Sequence, residues 1–570
     1  MKYPITPEFM YSLPLPLMRL YQRLEEQILE DICSRVAMTG EMTETAIEHI
    51  RSLQRRGYDY KKINEYIRKT LKLTQSEFDT VWNKAVQRNQ QYFDTLIDDN
   101  LILGENNFNA DLFMQEINAI EMQTLGELTN ITRSMGFAYR APDGTVKVDD
   151  IGKMYQRVLD DALMRVESGQ SYNVAIRDAT KMLTDSGLQY VDYESGWHNR
   201  VDVAARRAVM TGVTQLSRQY TEQTATLLDT PYREVTAHRG ARDVDSPNPW
   251  SSHKKWQGRV YSVRTGDIYP SIYEVCGLDE VDGLCGANCR HMYHIWVEGV
   301  SERTYTDEEL ENIDPPPFEF EGKQYTFYEA TQKQRQVEAS LRKVKRELIA
   351  AKGRGDDEEY TTKAVRYRRL NEEYEAFSKA AGLRPQRERG NISEFGAYAA
   401  RETNRAYREL AKKADGMYDT GSENGNVDAY LRDLPIRRRI QNEYSHEMNV
   451  GQQNKHYPGT NEYNMYVQKQ QKLGLYGPSV VTVTPDELKE LFNQYSSTGI
   501  IMRDEKTGRW KESELITVND KIIGQTVDLQ TGEKIDTPCF TIHYSRKKGW
   551  HIVPAYSDNK GMKDSYVQHQ

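Results

Sequence analysis

No run of this 570-residue sequence comes near the ~20 consecutive apolar residues that a transmembrane helix needs. The opening residues also lack the basic stretch, apolar core and small-residue cleavage site of a secretory signal. The expectation is a soluble, non-secreted chain with no membrane partner. Cysteine is scarce: Cys33, Cys276, Cys285, Cys289 and Cys539 make five, an odd number without the regular framework of a disulfide-built domain. They fit free thiols in a reducing cytoplasm. Positive charge is short as well. With 76 Lys+Arg against 85 Asp+Glu the net charge is −9, which argues against a protein that coats nucleic acid nonspecifically. The length exceeds what one core fills, so several domains are expected.

What the sequence has in quantity is helix-spaced apolar residues. Ile47, Ile50 and Leu53, then Ile63, Ile67 and Leu71, recur at three- and four-residue steps, the pattern of helices with one buried face. Thr74 and Glu77 have the spacing of a capping box and predict a helix start there. Val158, Leu159, Ala162, Leu163 and Val166 repeat the pattern, and 201–228 reads as one long helix. Residues 1–230 are therefore expected to form a mainly α body.

From Pro231 to about residue 300 the texture changes to short aromatic and β-branched runs broken by Gly, Pro, Asp and Asn, as in a small, loop-rich α+β unit. Within it, Cys285, Cys289, His291 and His294 offer two thiols and two imidazoles, donors that suit zinc. Gly283 and Gly286 permit a tight loop, and His238, His253 and Cys276 lie near enough in sequence to add donors. The spacing matches no standard zinc finger. Two readings stand: a structural zinc site, or a reduced and packed Cys/His core.

Thr306 and Glu309 form a further capping box, and Pro315-Pro316-Pro317 a stiff connector. Beyond it, Val337, Leu341, Val344 and Leu348 step by four, three and four among charged residues. So short a coiled-coil seam predicts a helical hairpin within 301–390, with Tyr367, Leu370, Tyr374 and Phe377 on the facing side. Arg342, Lys343, Lys345 and Arg346 alternate with acids, which predicts a solvated face rather than a nucleic-acid contact. Residues 391–445 read as a helical tether with a flexible Gly/Asn/Ser link at 419–426.

A separate α+β domain is expected over 446–570. Thr484-Pro485-Asp486-Glu487 announces a helix. Strand-like runs at 500–503, 515–518, 522–529, 540–544 and 551–553 then give an antiparallel sheet. Ser545 to Gly549 reads as a hairpin turn.

Two stretches resemble known families. His238 with Gly240-Ala241-Arg242, the Pro- and Trp-containing loop that follows, the run from Trp256 to Val263, and the run from Gly283 to Gly299 together resemble phage minor capsid protein 2, within the Mu F-like class of head morphogenesis proteins. The resemblance extends to about Gly390 and includes Tyr328 to Arg335. It implies a low-copy structural protein of a tailed-phage or prophage head, near the portal and needed for assembly or DNA delivery. Portal and major capsid proteins and phage DNA are the implied partners. The virion is the implied location, after synthesis in the host cytoplasm, and no enzymatic role is implied for this part.

Lys455-His456, Pro458-Gly459-Thr460 and the run from Ile542 to Pro554 are similar to the polymorphic toxin type 50 domain. That resemblance implies a ribonuclease related to the barnase and EndoU group, with RNA as substrate and a cognate immunity protein as partner. Cleaving RNA by attack of its own 2′-hydroxyl needs a base, an acid and cations around the phosphate, and histidine suits both proton-transfer roles. His456 and His551 are the expected pair. Lys455, His543, Ser545, Arg546 and Lys548 would surround the phosphate, with Tyr544 as an alternative donor to Ser545, and no cofactor is required. The competing reading is an inactive interaction module in which these histidines are structural.

Overall fold

Leu17, Tyr21, Leu24, Ile28 and Ile32 recur every three or four residues along α1 (Leu15–Ala37), and each is buried. Such a stripe must be covered. Helices α2 (Lys61–Asp98), α3 (Ala110–Arg133), α4 (Ile151–Glu167), α5 (Tyr172–Ser186) and α6 (Val201–Leu227) cover it, around Phe78, Trp82, Val158, Leu183 and Leu216. The structure is a computed structural model that describes residues 4–37, 48, 50–51, 54, 61–98, 110–170, 172–191, 198–286, 289–386, 397–504, 506–518 and 521–556. Ile47, Leu53, Ala287 and Asn288 lie outside them. The chain divides into two units, Met1–Ala406 and Tyr407–Gln570.

The helical reading of the first unit omits a sheet. β1 (Met135–Arg140), β2 (Val146–Asp150), β3 (Leu188–Val191) and β4 (His198–Arg200) pair antiparallel in the order β2-β1-β3-β4. Strands this short show little alternation against the helices around them. Thr74 does not start a helix either. α2 runs through it for 38 residues, with Ile63, Thr70, Thr74, Phe78, Val81, Trp82 and Ala85 buried on one face. No Gly or Pro interrupts α2, and burial of a continuous face outweighs a local cap.

The α+β unit forms as expected. β5 (Tyr232–Val235), β6 (Val260–Ser262) and β7 (Tyr293–Trp296) make a sheet ordered β6-β5-β7, over a core of Trp256, Tyr261, Ile272 and Leu284. Thr306 and Glu309 close their capping box. Helices α7 (Phe327–Gly353) and α8 (Asp357–Ala380) form the hairpin, with Val337 and Leu341 against Tyr374, and Val344 and Leu348 against Ala364.

Two of the four basic residues expected on a solvated face of α7 are buried instead. α7 also packs on α1 and α5, so Lys345 and Arg346 are buried. Arg346 Nε donates to the Thr184 carbonyl at 2.9 Å, and Lys343 pairs with Asp185 at 2.6 Å. The buried carboxylates Glu25 and Asp202, held by Arg200 at 3.2 and 3.1 Å, answer the charge.

In the second unit, α9 (Glu423–Glu443) falls in the stretch read as a tether, yet Ile436 and Ile440 with Tyr444 join the core of Phe492, Phe540, Ile542, Trp550 and Ile552. The Gly/Asn/Ser stretch is a hydrogen-bonded turn. Thr420 donates to Asn426 Oδ1 from its N–H at 2.8 Å and its hydroxyl at 2.9 Å, Asn426 Nδ2 donates to Asp415 at 2.9 Å, and Ser422 caps α9. Residues that suggest flexibility satisfy one another here.

α10 (Asn461–Lys472) precedes α11 (Pro485–Tyr495), which begins with the predicted capping box. The strands described in the second unit are β8 (Val480–Val481), β9 (Ile500–Arg503), β10 (Trp510–Thr517), β11 (Gly524–Val527), β12 (Lys534–Thr537), β13 (Cys539–His543) and β14 (His551–Pro554). They form two antiparallel sheets, β8-β11-β12 and β9-β10-β13-β14. Strand β12 escaped the sequence reading because its first three residues are exposed and show no apolar alternation. Phe540, Ile542 and Ile552 face the core, which places Thr541, His543, His551 and Val553 on the opposite face.

Candidate active site and candidate metal centre

Pairing of β13 with β14 sets His543 opposite His551, and their rings stack 4.9 Å apart. His456 arrives from a segment laid along the other edge of β14. Trp550 N–H donates to Glu447 O at 2.9 Å and Asn449 N–H to Trp550 O at 2.7 Å. Ile552 N–H then donates to Gln453 Oε1 at 2.8 Å, and Gln453 Nε2 donates to Ile552 O at 3.0 Å. The Gln453 amide thus takes the place of a paired strand residue, and it anchors the turn that carries Lys455 and His456. Gly549 permits the close approach: an added Cβ would lie 2.0 Å from Glu447 O, at a φ of +87°. The His456 ring comes to rest 6.3 Å from His551 and within 16° of parallel.

Hydrogen bonds set the tautomers. His456 Nδ1 lies 2.8 Å from Ser479 O, so Nδ1 carries the proton and Nε2 the lone pair. His543 Nε2 lies 3.0 Å from the Thr541 hydroxyl, which itself donates to Val553 O at 3.4 Å. Burial lowers the pKa of all three imidazoles, His543 to about 4 and His551 to about 3. Neighbouring positive charge adds to the effect: His543, His456 and Lys455 all act on His551. The trio is therefore neutral at pH 7, beside the Lys455 ammonium, which sits 2.9 Å from Gln452 Oε1 and 5.7 Å from the Tyr466 ring centre. An anion among these groups would oppose the causes of the shifts and favour a protonated imidazole.

Arg546, Ser545 and Tyr544 make contacts of their own. Arg546 donates to Glu443 at 2.7 Å and lies over the Tyr444 ring. The Ser545 hydroxyl accepts the Lys548 N–H at 3.2 Å, and Lys548 is exposed in the turn. Tyr544 cannot serve as a substrate donor in this arrangement, because it is buried on the core face with its hydroxyl on Glu514. Gln453, Thr541 and Tyr466 were missed. Period two from His543 places Thr541 beside it, whereas Gln453 carries no comparable signal.

In the first unit, Cys289 Sγ, His253 Nδ1 and His291 Nδ1 converge within 4.8 Å of one another, a group that can hold a metal ion. The sulfur lies 3.8 Å from His253 and 3.6 Å from His291. Both outer nitrogens are held, His253 Nε2 by Asp282 O at 2.9 Å and His291 Nε2 by Gln257 Oε1 at 3.1 Å. Outer acceptors of this kind aim imidazoles at an ion. Burial, the largest cause, lowers His253 to about 4 and raises the Cys289 thiol.

Two expected donors lie outside this group. Strand register sets His294 opposite Glu234, which it meets at 3.0 Å. Cys285 Sγ faces the His291 carbonyl at 3.8 Å.

The family model for phage minor capsid protein 2 matches residues 5–378, and that for bacterial toxin 50 matches residues 448–554. No curated protein and no solved structure matches the chain. The chain belongs to the phage minor capsid protein 2 family and carries a bacterial toxin 50-type domain toward its C-terminus.

Proposed function

We propose that the toxin-type domain cleaves RNA without a metal ion, using His456 and His551 as the proton-transfer pair. The observation that carries this is their near-parallel juxtaposition at 6.3 Å, built from separate segments. His456 Nε2, left with its lone pair by the bond to Ser479, takes the proton of the 2′-hydroxyl as that oxygen attacks phosphorus. The P–O5′ bond breaks. His551, protonated in the field of the bound phosphate, gives its proton to O5′. The products are a 2′,3′-cyclic phosphate and a 5′-hydroxyl. Lys455 supplies positive charge to the phosphate, and His543 stacks behind His551 to hold its ring.

The test is incubation of fragment Tyr407–Gln570 with total RNA in EDTA, beside the His456→Ala and His551→Ala forms. Degradation that persists in chelator and is lost in both variants supports the reading. Intact RNA with a folded domain sinks it.

Membership of a capsid family implies a virion location and assembly with other virion proteins. The finer reading is docking at the portal and major capsid proteins near packaged DNA, with the toxin domain as cargo. A cognate immunity protein would restrain that domain in the producing cell.

The His253, Cys289 and His291 group fits a structural zinc ion, because the ligand types are right and both imidazoles are pre-aimed. The full-length protein should then carry one zinc per chain by elemental analysis, and Cys289→Ser should lose it. Metal content at background in the unmutated protein would overturn that assignment.

A further inference from the structure

Helix α10 packs on the turn that carries Lys455 and His456, and none of its residues is buried. A helix of this length is marginal in water unless a face of it packs. Along α10, Tyr463, Tyr466, Val467 and Gln470 recur at three- and four-residue steps, and all four are half-buried. That stripe opens with two aromatic rings and still meets solvent. The Thr460 hydroxyl fixes where it points: it accepts from Tyr463 N–H at 3.2 Å and donates to Asn454 O at 2.6 Å and Tyr457 O at 2.9 Å, which joins the start of the helix to the turn before it. After α10 the chain returns to Ser479, whose carbonyl holds His456 Nδ1.

One side chain of the stripe reaches the histidine pair. The Tyr466 ring lies 6.4 Å from the His456 ring, edge-on at 81°, and 5.7 Å from the Lys455 ammonium. It thereby stands beside the imidazole assigned to the 2′-hydroxyl proton and beside the cation assigned to the phosphate. The local charge is positive: three lysines and one glutamate leave residues 455–472 at +2 with histidine neutral. A half-exposed aromatic ring in a positive setting is the combination that holds single-stranded nucleic acid, because bases stack on the ring while the charge draws the backbone.

We propose that Tyr466 is the stacking platform for the base of the nucleotide that supplies the attacking 2′-hydroxyl. This rests on the ribonuclease reading and adds to it the subsite that holds the substrate. The side of the scissile bond follows from the partner. Tyr466 meets His456, which takes the 2′-hydroxyl proton, so the base it faces belongs to the nucleotide that carries that hydroxyl and not to the one that leaves with O5′. Every base has a π-face, so the subsite requires a base without choosing strongly among the four.

Cleavage kinetics of the full-length protein in EDTA test this on a DNA strand with a single ribonucleotide, which fixes the attacking position. The strand is used intact, abasic at the ribonucleotide, and abasic at the next nucleotide on the 3′ side. Tyr466→Ala should lower kcat/KM on the intact strand by about tenfold. The same substitution should cost nothing on the strand abasic at the ribonucleotide and keep its full cost on the strand abasic at the neighbour. Tyr466→Phe, which keeps the ring, should match the unmutated protein. An equal loss on all three strands, as from a merely structural tyrosine, overturns the proposal; so does a loss that disappears only with the neighbouring base, or a Tyr466→Ala form that cleaves the intact strand at the parental rate. Fluorescence anisotropy with all-deoxy forms of the same strands separates this inference from the reading it rests on. If the unmutated protein cleaves nothing, the ribonuclease reading fails, and weaker binding by Tyr466→Ala that vanishes when the facing base is removed still supports the stack. Equal binding by the two proteins, or no binding by either, overturns it.

Discussion

Replacing Gln453 with leucine should both destabilise the second unit and displace His456. The Gln453 side chain makes two hydrogen bonds to one buried residue of β14, accepting from Ile552 N–H at 2.8 Å and donating to Ile552 O at 3.0 Å. Leucine fills similar space but leaves both backbone groups without that partner, in a place where Gln453 and Ile552 are 1% and 0% exposed. A stranded buried polar group costs about 1–3 kcal/mol, so two cost roughly 2–5 kcal/mol, less a little for the added apolar burial. For a unit of this size, 1 kcal/mol moves Tm by about 2–4 °C, which predicts a drop of roughly 5–15 °C. Calorimetry on fragment Tyr407–Gln570 reads it directly, and RNA cleavage by the same sample reports the placement of His456. Gln453→Glu should fall between, since a carboxylate can accept from Ile552 N–H but cannot donate to its carbonyl. A Tm within about 2 °C of the parent would refute the claim that this amide clamps the segment to the sheet.

The histidine trio gives a pH dependence of definite sign. His543 and His551 titrate at about 4 and about 3 in the fold and near 6.5 when unfolded, so the unfolded chain binds more protons and stability falls as pH drops below ~6.5. His456, Lys455 and Thr541 are the groups facing them. By pH 5 the loss should be on the order of 2 kcal/mol per histidine, about 4 kcal/mol for the pair, and denaturant melts of His543→Gln and His551→Gln should show a flatter profile; a parallel profile would contradict the assignment. Gly212→Ala should destabilise the first unit although alanine is the better helix former by about 1 kcal/mol, because the new Cβ would lie 2.2 Å from Thr124 Oγ1 across the α3–α6 contact. Thr124→Ala should restore stability in the double variant; a stabilised single variant would show that the helices part freely. Arg546→Ala should leave both melting and RNA cleavage nearly unchanged, since Arg546 is engaged with Glu443 and Tyr444; a large loss of cleavage would bring Arg546 into the site.

Much of the helical architecture was legible because periodicity reports directly that a face is buried. The α4 stripe, the long α6, the α7 seam and the boxes at Thr306 and Thr484 follow from local chemistry. Periodicity does not report how many faces are covered. That is why Lys345 and Arg346, polar residues on a hairpin helix, were expected in solvent and lie against α1 and α5 instead. The same limit applied to Thr74, whose capping spacing is local while its burial depends on distant helices. For the sites, residue chemistry pointed to His456, His543 and His551, and to Cys289 with His291. Strand register and chain crossing supplied the rest: Glu234 occupies His294, His253 is the one of the three further candidate donors (with His238 and Cys276) that joins Cys289 across 36 residues, and Gln453 joins an edge that no spacing rule marks.

The central claim is attack by the substrate's own 2′-hydroxyl at the His456 and His551 pair. A short RNA with one 2′-deoxy position, incubated with fragment Tyr407–Gln570 in EDTA and resolved by mass spectrometry, tests it most directly. The account predicts cyclic-phosphate and 5′-hydroxyl ends at cleaved ribose positions and no cleavage at the deoxy position. Cleavage at the deoxy position, or products ending in a 5′-phosphate, would contradict it.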